Sequence, residues 1–99
     1  MIARIWHGTT RVTDYEEYTE FMRSKAIPDY ESTAGFKKLV FLRSKEGGVG
    51  HFTLITFWEN MEVIKNFAGE DFEKAKYYEE DKGFLLEFEE KVKHYEVFA

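Results

Sequence analysis

The 99-residue sequence contains no cysteine. Disulfides are excluded, and so are thiolate nucleophiles and thiolate metal sites. A chain that does without them suits a reducing compartment, and a cytoplasmic protein is expected. No apolar run approaches the roughly 20 residues of a membrane span, so no membrane is expected as partner. The opening Met1-Ile2-Ala3-Arg4-Ile5-Trp6 lacks the charged start and long apolar middle of a signal peptide, and it has the pattern of a first strand. A basic stripe is also missing. The formal net charge is −5, and phosphate binding needs clustered Lys and Arg, so nucleic acid is not an expected partner. The short basic pair Lys37-Lys38 sits beside an apolar strand and belongs to its solvent edge. Proline occurs once, at position 28, so only one forced break in a helix is expected, near Ile27.

What is abundant is aromatic. Phe, Tyr and Trp make up 18% of the chain, about twice the usual share by composition norms. Those rings call for a ring-lined cavity or an interface. The length allows one domain, 1–99, and a domain this small gains from a partner subunit.

Periodicity divides the chain into six elements. Ile2 to Gly8 alternates, with Ile2, Arg4 and Trp6 on one face and Ala3, Ile5 and His7 on the other. Thr13-Asp14-Tyr15-Glu16 has the spacing of a capping box, and Tyr15, Tyr18, Phe21 and Met22 then recur at helical spacing. Tyr30 falls on a short continuation after Pro28. Gly35 precedes a second strand, Phe36 to Ser44, with Phe36, Val40 and Leu42 expected opposite Leu39 and Phe41. The glycine-rich stretch Lys45 to Gly50 is a hairpin connection rather than a phosphate loop, since no helix start follows it. His51 to Glu59 is a third strand. Asn60 caps a helix carrying Val63, Ile64 and Phe67, which Gly69 closes. Asp71 is expected to cap a further turn holding Phe72, Ala75 and Tyr78. Glu79 to Asp81 is expected to be a solvated loop, and Lys91 to Phe98 the last strand.

Strand, helix, strand, hairpin strand, helix, strand is the split-βαβ plan. The expected fold is therefore α+β and ferredoxin-like, βαββαβ, with a four-stranded antiparallel sheet in the order 4-1-3-2 and both helices on one face. A sheet covered on one side normally alternates apolar with polar. Here Phe52, Leu54 and Trp58 oppose Ile55 and Phe57, so both faces are apolar. The second face needs a cover, and a second copy of the chain, sheet against sheet, supplies it. A homodimer is expected.

Several stretches together resemble the antibiotic biosynthesis monooxygenase family, of the dimeric α+β barrel group. They are Ile2 to Gly8 with its Trp6-His7-Gly8, Ile55-Thr56-Phe57-Trp58-Glu59, Phe67-Ala68-Gly69-Glu70-Asp71 with Ala75, Tyr77 to Asp81, and His94-Tyr95-Glu96-Val97. The resemblance covers nearly the whole chain and is closest to a subgroup of stand-alone small proteins. It implies a sheet-to-sheet dimer and a pocket between helices and sheet in each subunit. Its activities are mixed. Some members oxygenate phenols with dioxygen and no cofactor, and others bind haem and open its ring.

The resemblance implies that Trp58 lines the pocket, a role to be weighed against core packing. His7 stands where the haem branch carries an asparagine. It could orient a substrate oxygen or take a phenolic proton, against the plainer role of a hydrogen-bonded strand-end histidine. Lys76 stands where that branch carries a ligating histidine, which argues against histidine-ligated haem and leaves Tyr77 or Tyr78 as conceivable ferric ligands. No cofactor is expected, with haem as the alternative. Arg4 sits within an apolar strand. It should find Glu59 or Glu96, or serve as an oxyanion clamp. His7, His51 and His94 fall near one end of the sheet, but their faces alternate and no carboxylate spacing supports a metal set, so no metal is expected. The resulting expectation is a cofactor-independent monooxygenase of a small aromatic phenol or quinol. His7 and Arg4 would be catalytic, and Trp58, Phe67, Tyr77, Tyr78 and His94 would line the substrate. The alternative is a non-catalytic dimer that binds a small hydrophobic ligand or haem.

Overall fold

The computed structural model describes all residues 1–99. Strand β1 (Ile2–Arg11) leads through a 3-10 turn (Val12–Asp14) into α1 (Tyr15–Phe21), a π-helical turn (Met22–Ala26) and α2 (Ile27–Glu31). Strands β2 (Phe36–Glu46) and β3 (Val49–Trp58) form the hairpin, followed by α3 (Met61–Ala68), the short α4 (Asp81–Phe84) and β4 (Lys93–Glu96). The sheet order is β2-β3-β1-β4, with every pairing antiparallel. This is the expected ferredoxin-like α+β arrangement.

Proline 28 does not end the first helix. The helix runs through 15–31, and the turn just before the proline widens: the Ile27 amide bonds to the Met22 carbonyl, five residues back. A π turn lets the helix absorb a ring that has no amide hydrogen and crowds the preceding turn. The capping box at Thr13 does not form. Thr13 lies inside the 3-10 turn, and Asp14 occupies the cap position without a side-chain cap bond. Its carboxylate is taken by Arg11, at 2.8 and 3.0 Å. The second helix begins and ends as the residues predict. Asn60 Oδ1 accepts from the Val63 amide at 3.1 Å, and Gly69 closes the helix at φ 91°.

One face of the sheet carries Trp6, Phe52, Leu54 and Trp58 against Tyr15, Tyr18, Met22, Ala26, Tyr30, Ile64 and Phe67 of the helices. Phe36 joins this face, contrary to its expected place with Val40 and Leu42. Phe36 pairs with Trp58 and Lys38 with Phe57, so a bulge at Lys37 inserts one residue and flips the phase. The core thereby gains a ring packed on Trp58 at 5.1 Å. The other face presents Ala3, Ile5, Val40, Leu42, Ile55, Phe57 and Tyr95, and no element of the chain covers it.

The turn expected after Asp71 is not helical. Residues 70–80 are irregular and pair with 90–92 instead, through Ala75 N to Glu90 O at 2.9 Å and Val92 N to Glu73 O at 2.8 Å. That pairing takes Lys91 and Val92 out of the last strand. β4 is therefore shorter than expected, and its Lys93–Glu96 lie beside residues 2–5 of β1.

Gly35 holds φ 86°, and a Cβ there would sit 2.5 Å from Val63 Cγ2. Gly35→Ala meets both backbone strain and a clash between the β2 entry and α3. It should cost about 1–3 kcal/mol. Urea unfolding would show this as a lower midpoint at unchanged m.

Candidate functional site

The alternation of β1 sends Arg4 to the helix side, where it is 3% exposed. Its Nη1 donates to the Phe72 carbonyl at 2.6 Å, and its Nη2 to the Lys74 carbonyl at 3.1 Å. The same Nη1 lies 3.3 Å from His94 Nε2. A guanidinium only donates, so His94 Nε2 must be the acceptor, and the ring is neutral with its proton on Nδ1. Burial holds the His94 pKa below its ordinary value, and the Arg4 charge adds to that. Burial likewise lowers Arg4.

No carboxylate forms an ion pair with Arg4. The expected partners are misplaced: Glu59 is exposed beyond the end of β3, and Glu96 stands opposite Ile2, while Arg4 faces His94 across the ladder. A buried cation normally has a counter-charge. This one is held by backbone dipoles and a neutral imidazole.

Rings fill the adjacent space. Trp58 is fully buried, donates to Thr56 Oγ1 at 2.8 Å, and packs on Phe67 at 5.2 Å. Tyr30 stacks on Phe67 at 4.5 Å. Burial pushes the Tyr30 hydroxyl up to about 12, with Arg4 pulling the other way. Lys76 Nζ lies 4.1 Å above the Phe67 ring and 2.9 Å from Asp29 Oδ2. Tyr78 donates to the same Asp29 oxygen at 2.6 Å. Burial alone would raise the Asp29 carboxyl, but the bonds from Tyr78 and Lys76 outweigh it and hold it below its ordinary range.

The residues singled out from the sequence therefore separate. Arg4 and His94 come together, with Trp58, Phe67 and Tyr78 in the same helix-side layer. Tyr77 lies toward Trp6, whose Nε1 is 3.3 Å from its hydroxyl, and donates to the Glu89 carbonyl at 2.6 Å. His7 is on the opposite face of the sheet. It bonds to Glu89 and stacks on His51, 5.5 Å between centroids. Strand alternation keeps His7 from sharing a pocket with Arg4 or Trp58.

Asp81, expected in a solvated loop, is buried at 2% exposure. It accepts from the Tyr18 hydroxyl at 3.0 Å and the Tyr78 amide at 2.7 Å. Burial raises its pKa despite those bonds. The Tyr78 bond is local, three residues back, but the Tyr18 partner lies 63 residues away, so nothing in the local sequence marked Asp81 for burial. Asp29 and Tyr30 carried no signal either, because their partners Lys76, Tyr78 and Phe67 lie far along the chain.

Two clefts open on the surface. One of about 170 Å³ runs between the first helix and the sheet, walled by Met22, Ile27, Phe41 and Phe52 with Thr19, Arg23 and Arg43. The other, about 390 Å³, lies between Lys74, Ala75 and Tyr77 and the stretch Phe88 to Lys91. Neither is bordered by Trp58 or Phe67.

No family model and no curated protein matches the sequence. Solved structures do. A candidate antibiotic biosynthesis monooxygenase from Bacillus cereus superposes with a TM-score of 0.60 at 20% identity, over 95% of this chain and 87% of that one. The chain shares that fold. An arginine-to-serine variant of MhuD with two manganese protoporphyrin IX bound per active site superposes with a TM-score of 0.62 at 16% identity, over 100% of this chain and 96% of that one. At such identities the likeness is one of fold. It agrees with the architecture that the resemblance to the antibiotic biosynthesis monooxygenases implies. No helix of the chain is long and apolar enough to cross a membrane.

The lowered His94 pKa has a defined consequence. The folded state favours the neutral ring, so His94 contributes stability at and above its unfolded pKa near 6.5. That contribution is lost as pH falls toward the folded value. His94→Gln should lose less stability than the wild type between pH 7 and pH 5, measured as urea midpoints at each pH.

Proposed function

We propose that the chain is a cofactor-independent oxygenase of the antibiotic biosynthesis monooxygenase type, acting as a homodimer on a one-ring phenol or quinol, in the cytoplasm. The observation that carries this reading is the buried Arg4 guanidinium without a carboxylate. In a low-dielectric layer its charge is available to an anion, and a phenolate oxygen is a better acceptor than the two carbonyls that hold it. Those carbonyls, of Phe72 and Lys74, belong to the irregular segment that follows α3, so displacing that segment would uncover Arg4 without disturbing the sheet.

His94, and not His7, suits the part of base. Its Nε2 lone pair is spent on Arg4. When a substrate oxygen takes over Arg4, that lone pair is free for the phenolic proton, and the lowered pKa keeps the ring neutral for the task. The electron-rich phenolate ring would then react with dioxygen directly. The phenol supplies four electrons, one oxygen atom enters the ring as a quinone carbonyl, and the other leaves as water. Trp58, Phe67, Tyr30 and Tyr78 would wall the ring and exclude solvent.

Lys76, which the resemblance puts at the place of a ligating histidine, is engaged with Asp29 and Phe67, and this argues against histidine-ligated haem. A second reading, a dimer that binds a small ligand without turnover, is favoured by the position of the two main clefts, since neither reaches Arg4.

Oxygen uptake by metal-stripped protein with a panel of phenols and hydroquinones tests the oxygenase reading. Arg4→Met and His94→Gln should each lower kcat by about 10²-fold or more, and His7→Ala should leave it unchanged. Saturable phenol binding with no oxygen consumption would select the second reading. A sharp, saturable absorption shift with ferric haem would overturn the cofactor-free one.

The dimer has its own test. Ile55→Lys places a charge at the centre of the uncovered face, and sedimentation should find the wild type dimeric and this variant monomeric with unchanged circular dichroism. A wild-type monomer at micromolar concentration would sink the dimer.

A further inference from the structure

The uncovered face of the sheet carries a polar cluster that the proposed oxygenase site does not use. His7 Nε2 and His51 Nδ1 face each other at 3.3 Å. The rings lie side by side, 25° from parallel. Strand register produces this: His7 stands opposite Thr53, and His51 stands opposite Thr9, so the two are diagonal neighbours on one face. Each outer nitrogen faces a carboxylate. His7 Nδ1 is 2.9 Å from Glu89 Oε1, and His51 Nε2 is 3.7 Å from Glu46 Oε2.

We propose that His7 and His51 form a two-imidazole site for a borderline divalent cation of the zinc and copper class. Three features argue for it. Ligands at about 2.0–2.1 Å in a tetrahedral shell lie about 3.3 Å apart, which is the separation of the two inner nitrogens. A metal-bound imidazole typically gives its other N–H to a carboxylate, which fixes the tautomer and raises ligand basicity; Glu89 stands in that place for His7, and Glu46 lies near it for His51 without a hydrogen bond. Both rings are also part-exposed in the single chain, which leaves the two inner nitrogens within reach of an ion.

The proton arrangement is compatible. One arrangement of the protons has Glu89 accepting from His7 Nδ1–H and His7 Nε2 accepting from His51 Nδ1–H. Moving the His51 proton to Nε2, toward Glu46, leaves both inner nitrogens as lone-pair donors with both rings still neutral. The two rings then pivot from each other toward a shared ion. No third His, Asp or Glu converges with them, so the chain supplies two ligands, and His94 is excluded by lying through the sheet. Imidazole nitrogen in pairs suits copper, zinc and nickel, and copper is held most tightly by the general order of divalent affinities.

Titration of the purified, chelator-treated protein with Cu²⁺ and Zn²⁺ tests the site. Saturable binding in the micromolar range is expected, at no more than one ion per chain. The Cu²⁺ electron paramagnetic resonance spectrum should show nitrogen splitting from two imidazoles. His7→Ala and His51→Ala should each weaken binding tenfold or more, and Glu89→Gln about tenfold through the outer hydrogen bond, with circular dichroism unchanged in each. Binding that survives in the double variant His7→Ala, His51→Ala, or a wild-type protein that binds neither ion at micromolar concentration, would overturn the proposal.

Discussion

A pleated strand presents successive side chains to opposite faces, and β1 and β3 of this chain use both faces at once. Trp6, Phe52, Leu54 and Trp58 go to the helices, and Ile5, Ile55 and Phe57 go the other way. Everything else is arranged around that double demand. The long first helix and α3 answer one side with a layer of rings. The other side is left as a continuous apolar surface with a polar cluster, His7 and His51, among its residues. The same alternation sorts the polar groups. It sends Arg4 and His94 into the low-dielectric layer together and holds His7 on the far side of the sheet.

The half of the helix side that a regular helix does not cover is closed by the irregular stretch after Gly69, and polar anchors hold that stretch in place. Arg4 binds the carbonyls of Phe72 and Lys74, Asp29 receives Lys76 and Tyr78, and Asp81 receives the Tyr18 hydroxyl. Each anchor reaches back to an element early in the chain. Buried polar groups are costly unless satisfied, and no buried side-chain polar atom here lacks a partner. Such bonds are directional and can be exchanged for a ligand's, whereas apolar contacts with Trp58 cannot.

The structural relatives share 20% and 16% identity with the chain, so the fold persists where few residues do. That is the expected behaviour of an architecture specified by periodicity and turns. The strand alternation, the Asn60 cap, the Gly69 stop and the glycine hairpin are local signals, and each of them is legible in the sequence. The misplaced elements share a different trait. Phe36 changed faces because of a bulge, residues 73–75 paired with 90–92 instead of forming a helical turn, and Thr13 was drawn into a 3-10 turn that left Asp14, held by Arg11, at the cap position. In each case a competing partner won that periodicity does not report.

The candidate site divides along the same line. Arg4 was marked by its place in an apolar strand, and Trp58 by its place at a strand end. What Arg4 would bind, and that His94 rather than His7 would stand beside it, depended on β4 pairing with β1 in one register. Asp81 looked like solvated loop until Tyr18, 63 residues away, was brought to it. By itself the sequence determined the order of elements, the faces of β1 and β3, the apolar character of the second face, and the absence of thiol chemistry. These depend on side-chain type and spacing along a few neighbouring residues. Only the tertiary structure decided the partners of the buried charges, the pairing of His7 with His51, and the filling of the space beside Trp58. Those depend on which distant segments meet, and on a bulge that shifts a whole strand by one side chain.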